Sequence, residues 1–169
     1  MNAATYRIEG DVHEGTTAEL VTFLDDNPGK VRIEINSYGG DATQGAAILA
    51  KLGERSRDVT AYIVGVAASA AGLAAMGAGR IVMHNAAHFM IHEPYTWLEG
   101  TSDQLRRAAD VLDKMVDTYA TAYAKATGNA LADIKAWMKD ETWLTAEEAL
   151  ALNFCDEIDT AGMGEPLAR

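Results

Sequence analysis

Cysteine is almost missing from this chain: its 169 residues include one, Cys155, so no intrachain disulfide can form. No base motif adjoins that cysteine, and its expected role is packing near a strand rather than nucleophilic chemistry. Basic residues are also scarce, with 14 Lys and Arg against 25 Asp and Glu, a net charge of −11. They are scattered, Arg106-Arg107 being the one adjacent pair, so the chain lacks the basic surface that phosphate binding needs, and nucleic acid is not an expected partner. The acidity reads as solubility. No apolar run reaches the ~18 residues of a spanning helix. The segment 59–76 comes nearest, but alanine and glycine dilute it, so no membrane partner is expected. Met1-Asn2-Ala3-Ala4-Thr5 has neither a basic region nor a long apolar core, so no signal peptide is read and a cytoplasmic location is expected. Repeats, low-complexity tracts and linkers are lacking too, and 169 residues suit one domain over 1–169.

Serine is the next rarity. There are four, and Ser37, Ser56 and Ser102 sit among polar or turn-like neighbours. Ser69 instead lies within Gly65-Val66-Ala67-Ala68-Ser69-Ala70-Ala71-Gly72, between the apolar stretch 60–66 and the helix-like stretch 70–76. Two readings of it stand. The hydroxyl caps a helix, or it is a nucleophile at a strand-to-helix junction, where free N–H groups favour developing negative charge and small neighbours admit a substrate backbone.

What surrounds Ser69 decides between them. Upstream, Ile35-Asn36-Ser37-Tyr38-Gly39-Gly40-Asp41 is a strand end running into a paired-glycine turn. Downstream, Phe89-Met90-Ile91-His92-Glu93-Pro94 is a strand bearing a histidine before a proline. Further on, Asp140-Glu141 precedes Trp143-Leu144-Thr145-Ala146-Glu147-Glu148-Ala149. Nucleophile, base, acid and backbone donors are the parts of an acyl-transfer site.

The organisation alternates strands and helices, which favours an α/β domain with a largely parallel sheet. Strands are expected at 6–9, 31–35, 60–66 and 80–84. Helices are expected from a capping box at Thr16-Thr17-Ala18-Glu19 through Phe23, over 42–55 with Ala46, Leu49 and Leu52 inward, and over 69–77. A long amphipathic helix of roughly 25 residues, ~37 Å, opens at Thr101-Ser102-Asp103-Gln104. It carries Leu105, Ala108, Leu112, Met115, Tyr119, Ala122 and Tyr123 at helical spacing and stops at Thr127-Gly128-Asn129.

In these four motifs the chain resembles the ClpP-type serine proteases, self-compartmentalising peptidases related by fold to the crotonases. The pieces are Ile35-Asn36-Ser37-x-Gly39-Gly40, Ala67-Ala68-Ser69-Ala70-Ala71, Met90-Ile91-His92-x-Pro94 and Leu144-Thr145-Ala146-Glu147-Glu148-Ala149, in family order. The resemblance implies a ClpP/crotonase-like layered sheet with flanking helices, and a projecting handle helix at about 102–127. It implies Ser69 as nucleophile, His92 as base, and Gly40 and Ala70 as oxyanion donors. The family's acid stands two residues before its aromatic, which here is Trp143, so Glu141 aligns with it and Asp140 is the alternative. No cofactor or metal is implied. Peptide or unfolded-protein substrates are implied, as is a homo-oligomer built through the handle as a heptameric ring or double ring.

Departures qualify the resemblance. Tyr38 replaces a proline, Glu93 replaces a glutamine, and Asp140 replaces the arginine that couples ring contacts to the site. Nothing resembling an axial loop is read near the N-terminus, so docking to an AAA+ unfoldase is not implied. Phage relatives of this trimmed plan mature capsids. Two rival functions are a catalytically silent scaffold and a crotonase-type acyl-CoA enzyme. A metal site at His84, His88 and His92 would need a helix that Pro94 opposes.

Overall fold

A computed structural model of the chain describes residues 3–160. Its order is β1 (Ala4–Val12), α1 (Glu14–Asp26), β2 (Val31–Gly40), α2 (Ala42–Gly53), a 3₁₀ turn (Ser56–Asp58), β3 (Val59–Ala68), α3 (Ala70–Ala75), β4 (Arg80–His84), β5 (His88–Ile91), α4 (Ser102–Thr127), α5 (Leu131–Lys139), β6 (Thr142–Thr145), α6 (Ala146–Ala151) and β7 (Glu157–Asp159). Strands β1-β2-β3-β4-β7 pair side by side, all parallel. Parallel neighbours need crossovers, and α1, α2 and α3 supply the first three.

Strand β3 is the pivot. Its first half, 60–63, pairs with β4; its second half, 66–68, leaves β4 and pairs with β5 instead. Strand β5 in turn pairs antiparallel with β6. The far end of β3 is thus held in a separate three-strand ribbon, and Ser69 is the next residue.

Alternation explains the core. Val31, Ile33 and Ile35 of β2 and Val59, Ala61 and Ile63 of β3 point one way and are buried. Ile48 and Leu52 of α2 pack into the same core; Ala46 and Leu49 flank it, partly buried. The C-terminal half of α4 is buried through Tyr119, Ala120 and Tyr123, whereas Leu105 and Val111 in its first half are exposed. Phe154 joins these layers, its ring 5.2 Å from Phe89, 5.9 Å from Tyr123 and 6.3 Å from Trp137. Cys155 lies buried beside β7, and desolvation pushes its thiol up to about 11, which keeps it protonated.

Local signals decide most boundaries. The predicted Thr101–Gln104 capping box opens α4, and Gly128 closes it in the left-handed conformation at φ 77°. Helix α1 corrects its prediction: the cap is His13, whose Nδ1 accepts from the Gly15 N–H. Thr16 closes that box from inside the helix by accepting from the His13 N–H. An imidazole nitrogen serves here as a hydroxyl would, so the helix starts at Glu14. Among the described residues, no helix is long and apolar enough to cross a membrane.

Candidate active site

Three backbone contacts assemble the site. The Ser69 N–H donates to the Met90 carbonyl at 3.0 Å, extending the β3–β5 ladder by one residue and setting Ser69 beside the end of β5. Antiparallel pairing of Ile91 with Thr142 then makes His92 and Glu141 the next facing positions. Finally, the Met138 carbonyl at the end of α5 accepts from both Glu93 N–H, at 3.1 Å, and Glu141 N–H, at 3.3 Å. Residues distant in sequence meet because β5 lies between β3 and β6.

The side chains follow. His92 Nε2 lies 2.7 Å from Ser69 Oγ, so the hydroxyl donates when that nitrogen is unprotonated. His92 Nδ1 lies 4.0 Å from Glu141 Oε2, an ion-pair separation longer than a hydrogen bond, and the carboxylate is largely exposed. Asp140 ends α5 and makes no ion pair with His92; among the described residues Glu141 is the carboxylate that does. The register explains the choice, because Asp140 lies a step beyond the position facing His92.

Ser69 is not a helix cap. It occupies the residue before α3, but its hydroxyl makes no capping bond and turns to His92. Its backbone sits at φ 55° and ψ −122°, a region costing a non-glycine residue about 1–3 kcal/mol. The surroundings hold it there. The Ser69 carbonyl accepts from Leu73 N–H at 2.9 Å and from the Tyr123 hydroxyl at 3.4 Å. Tyr123 is buried, and desolvation drives its phenol far up, so it remains a neutral donor. Sequence reasoning placed Tyr123 in the α4 stripe as packing; its link to Ser69 crosses 54 residues and leaves no local signal.

The paired glycines form the opposite wall. Gly39 adopts φ 104° and Gly40 φ 147°. A Cβ on Gly39 would stand 2.8 Å from Ser69 Cβ, and one on Gly40 would stand 2.4 Å from the Val12 carbonyl oxygen. Both positions require glycine by geometry and by space. Ser37, fully buried, ties this turn down: its hydroxyl accepts from Gly39 N–H at 3.0 Å and donates to the Gly10 carbonyl at 2.5 Å. Asp41 caps α2 by accepting from Thr43 and Gln44; the Thr43 hydroxyl above all holds its carboxyl below the usual range.

Ser69 and His92 open onto a cleft of about 690 Å³ whose walls include Tyr38, Asp41, Tyr95, Val111, Leu112 and Met115. Helix α4 therefore supplies both the packing behind the serine and one wall of the cleft. Of the other histidines, His84 lies on β4 and His88 on β5, and among the described residues no group of three or more His, Cys, Asp or Glu is placed to hold a metal ion.

A serine hydroxyl paired with a histidine, at the head of a short helix and at the C-terminal end of the sheet's central strand, is a serine-hydrolase type of site. The Clp protease family model matches residues 4–161, and the chain belongs to that family. The ATP-dependent Clp protease proteolytic subunit of Streptococcus gordonii (strain Challis) is 32% identical over 157 residues, which cover 89% of this chain and 80% of that protein. Proteins of the same name from Streptococcus pneumoniae strains Hungary19A-6 and TIGR4 are 30% identical over a span of the same length.

Proposed function

We propose that this Clp-type serine protease is an endopeptidase that cuts peptides or unfolded segments through Ser69, His92 and Glu141. The observation that supports it most is the 2.7 Å contact between Ser69 Oγ and His92 Nε2 at a cleft of about 690 Å³. Ser69 Oγ attacks the scissile carbonyl carbon while its proton passes to His92 Nε2. The negative oxygen that forms is stabilised by the N–H groups of Gly40 and Ala70, one beside the glycine turn and one at the start of α3. Collapse breaks the C–N bond, and His92 returns the proton to the leaving amine. Water then attacks the acyl-enzyme, gives its proton to His92 and releases the acid, and Ser69 recovers its own. No metal or cofactor enters these steps.

Glu141 orients the imidazole. At 4.0 Å and with an exposed carboxylate, that support is weaker than a bonded triad acid provides, whose loss costs ~10⁴-fold. Glu141→Gln is therefore expected to lower kcat ~10-fold, and Asp140→Asn to leave it within about twofold. Steady-state kinetics on the two variants distinguish the acids; the reverse ranking would reassign the role to Asp140.

The assembly proposed is a homo-oligomeric ring, heptameric, single or double, joined through α4, whose first half carries the exposed apolar residues Leu105 and Val111. Neither a silent scaffold nor an acyl-CoA enzyme is favoured, since neither requires the Ser69–His92 contact. The testing experiment is fluorophosphonate labelling of the assembled protein, read by intact mass and peptide mapping. Labelling at Ser69, lost in His92→Ala, is the expected result; an assembled wild-type protein that takes up no probe would overturn the reading.

A further inference from the structure

An imidazole turns readily about the bond that joins it to its side chain, because that torsion has no sharp staggered minima. A base that must keep Nε2 on a serine oxygen therefore needs contacts on its ring, and an acid bonded to Nδ1 is the usual one. Here the Glu141 carboxylate lies 4.0 Å from Nδ1, beyond hydrogen-bond length. Among the described residues, the 2.7 Å contact with Ser69 Oγ is the hydrogen bond the ring makes. A second contact falls on the ring itself. Tyr95 stands three residues on, and its ring centroid lies 5.8 Å from that of the imidazole, at an interplanar angle of 70°. Aromatic pairs favour this edge-on arrangement. The chain between the two rings is restrained, since Glu93 N–H donates to the Met138 carbonyl at 3.1 Å and Pro94 has a fixed φ.

We propose that Tyr95 is a positioning residue: its ring limits rotation of the His92 imidazole and keeps Nε2 on Ser69 Oγ, supplying support that Glu141 does not give at 4.0 Å. The inference deepens the peptidase reading above and rests on it. Fold stability does not account for this ring. Tyr95 is 70% exposed, and its hydroxyl makes no hydrogen bond among the described residues, so the core does not depend on it. Its removal opens no cavity, and the melting temperature should barely move. The competing role is contact with substrate, because Tyr95 is also a wall of the cleft. The two roles differ in what they predict. A wall that only touches peptide acts on peptide binding, whereas a ring that steadies the base acts on every reaction of Ser69, whatever the substrate.

The test is the rate at which the assembled full chain reacts with diisopropyl fluorophosphate, a small probe with no peptide to lie along the cleft. The bond from Ser69 Oγ to phosphorus forms as the phosphorus–fluorine bond breaks. Fluoride leaves, the serine proton passes to His92, and intact mass follows the gain. Tyr95→Leu is expected to slow labelling ~5-fold, to lower kcat for a peptide by a similar factor and to leave KM within about twofold. Tyr95→Phe keeps the ring and is expected to recover most of that loss. Trp97→Leu is the control: Trp97 is 92% exposed in the same loop, no ring lies against it among the described residues, and labelling should keep the wild-type rate. Tyr95→Met is used if the leucine variant does not assemble. A Tyr95→Leu protein that labels as fast as wild type would overturn the positioning role, and a raised peptide KM would then make Tyr95 a substrate contact. Equal losses in Tyr95→Phe or in Trp97→Leu would overturn it too. A wild-type protein that takes up no probe would overturn the peptidase reading, and the positioning role with it.

Discussion

Replacing Ser69 with alanine is expected to lower kcat/KM for peptide hydrolysis by ~10⁴-fold or more, and His92→Ala by a similar factor. The two residues act as a unit across their 2.7 Å contact: without the imidazole the hydroxyl keeps its proton, and without the hydroxyl the imidazole has no nucleophile to activate. Their effects are therefore not additive, and the double variant should be about as slow as either single one. The measurement is kcat/KM on assembled protein for both single variants and the double. Ser69→Ala removes one oxygen and leaves the backbone at φ 55° no better or worse suited, so its melting temperature should barely move. A Ser69→Ala protein cutting peptide within tenfold of the wild-type rate would place the nucleophile elsewhere.

Gly40→Ala should cost both rate and stability. A Cβ there would meet the Val12 carbonyl oxygen at 2.4 Å and the Val12 nitrogen at 2.8 Å, both backbone atoms of the neighbouring strand. Strand β1 cannot yield cheaply, because Val12 also accepts from Asp41 N–H at 2.8 Å and pairs with Gly40 in the ladder. The turn must rotate instead, which turns the Gly40 N–H away from the position proposed for the oxyanion. Loss of one such donor costs ~10²–10³-fold in rate, and overpacking costs about 1–3 kcal/mol of stability. Kinetics and thermal melting read the two effects separately. Gly53→Ala is the control: a Cβ there meets nothing within 4 Å, so activity should stay at the wild-type level. A Gly40→Ala protein with unchanged kcat/KM would remove that N–H from the mechanism.

Much of the fold was legible because its signals are local. Alternation in Val31-Arg32-Ile33-Glu34-Ile35 reflects the two faces of one strand, and Thr101, Gln104 and Gly128 bound α4 by bonds that span a single turn. The sequence pattern ended a strand near residue 66, whereas β3 runs to Ala68 because β5 becomes a new partner for its last residues. The start of α1 was missed for a chemical reason, since histidine is not among the residues that usually cap helices and yet its Nδ1 accepts the same bond.

The candidate site divides in the same way. Ser69, His92 and the paired glycines are legible from the sequence because each sits in a distinctive local context: small residues around a serine, a histidine between a strand and a proline, and a turn only glycine can make. By itself the chain also determined the alternating α/β plan, the acidic surface and the limits of the long helix. Only the tertiary structure places Glu141, and not Asp140, opposite His92, because strand register, not composition, sets which carboxylate faces the imidazole. It alone turned the Ser69 hydroxyl away from capping and set Tyr123 against the Ser69 carbonyl. The physical reason is common to all of these: they depend on distances between residues far apart in the chain, which come into being only when the sheet and helices have packed.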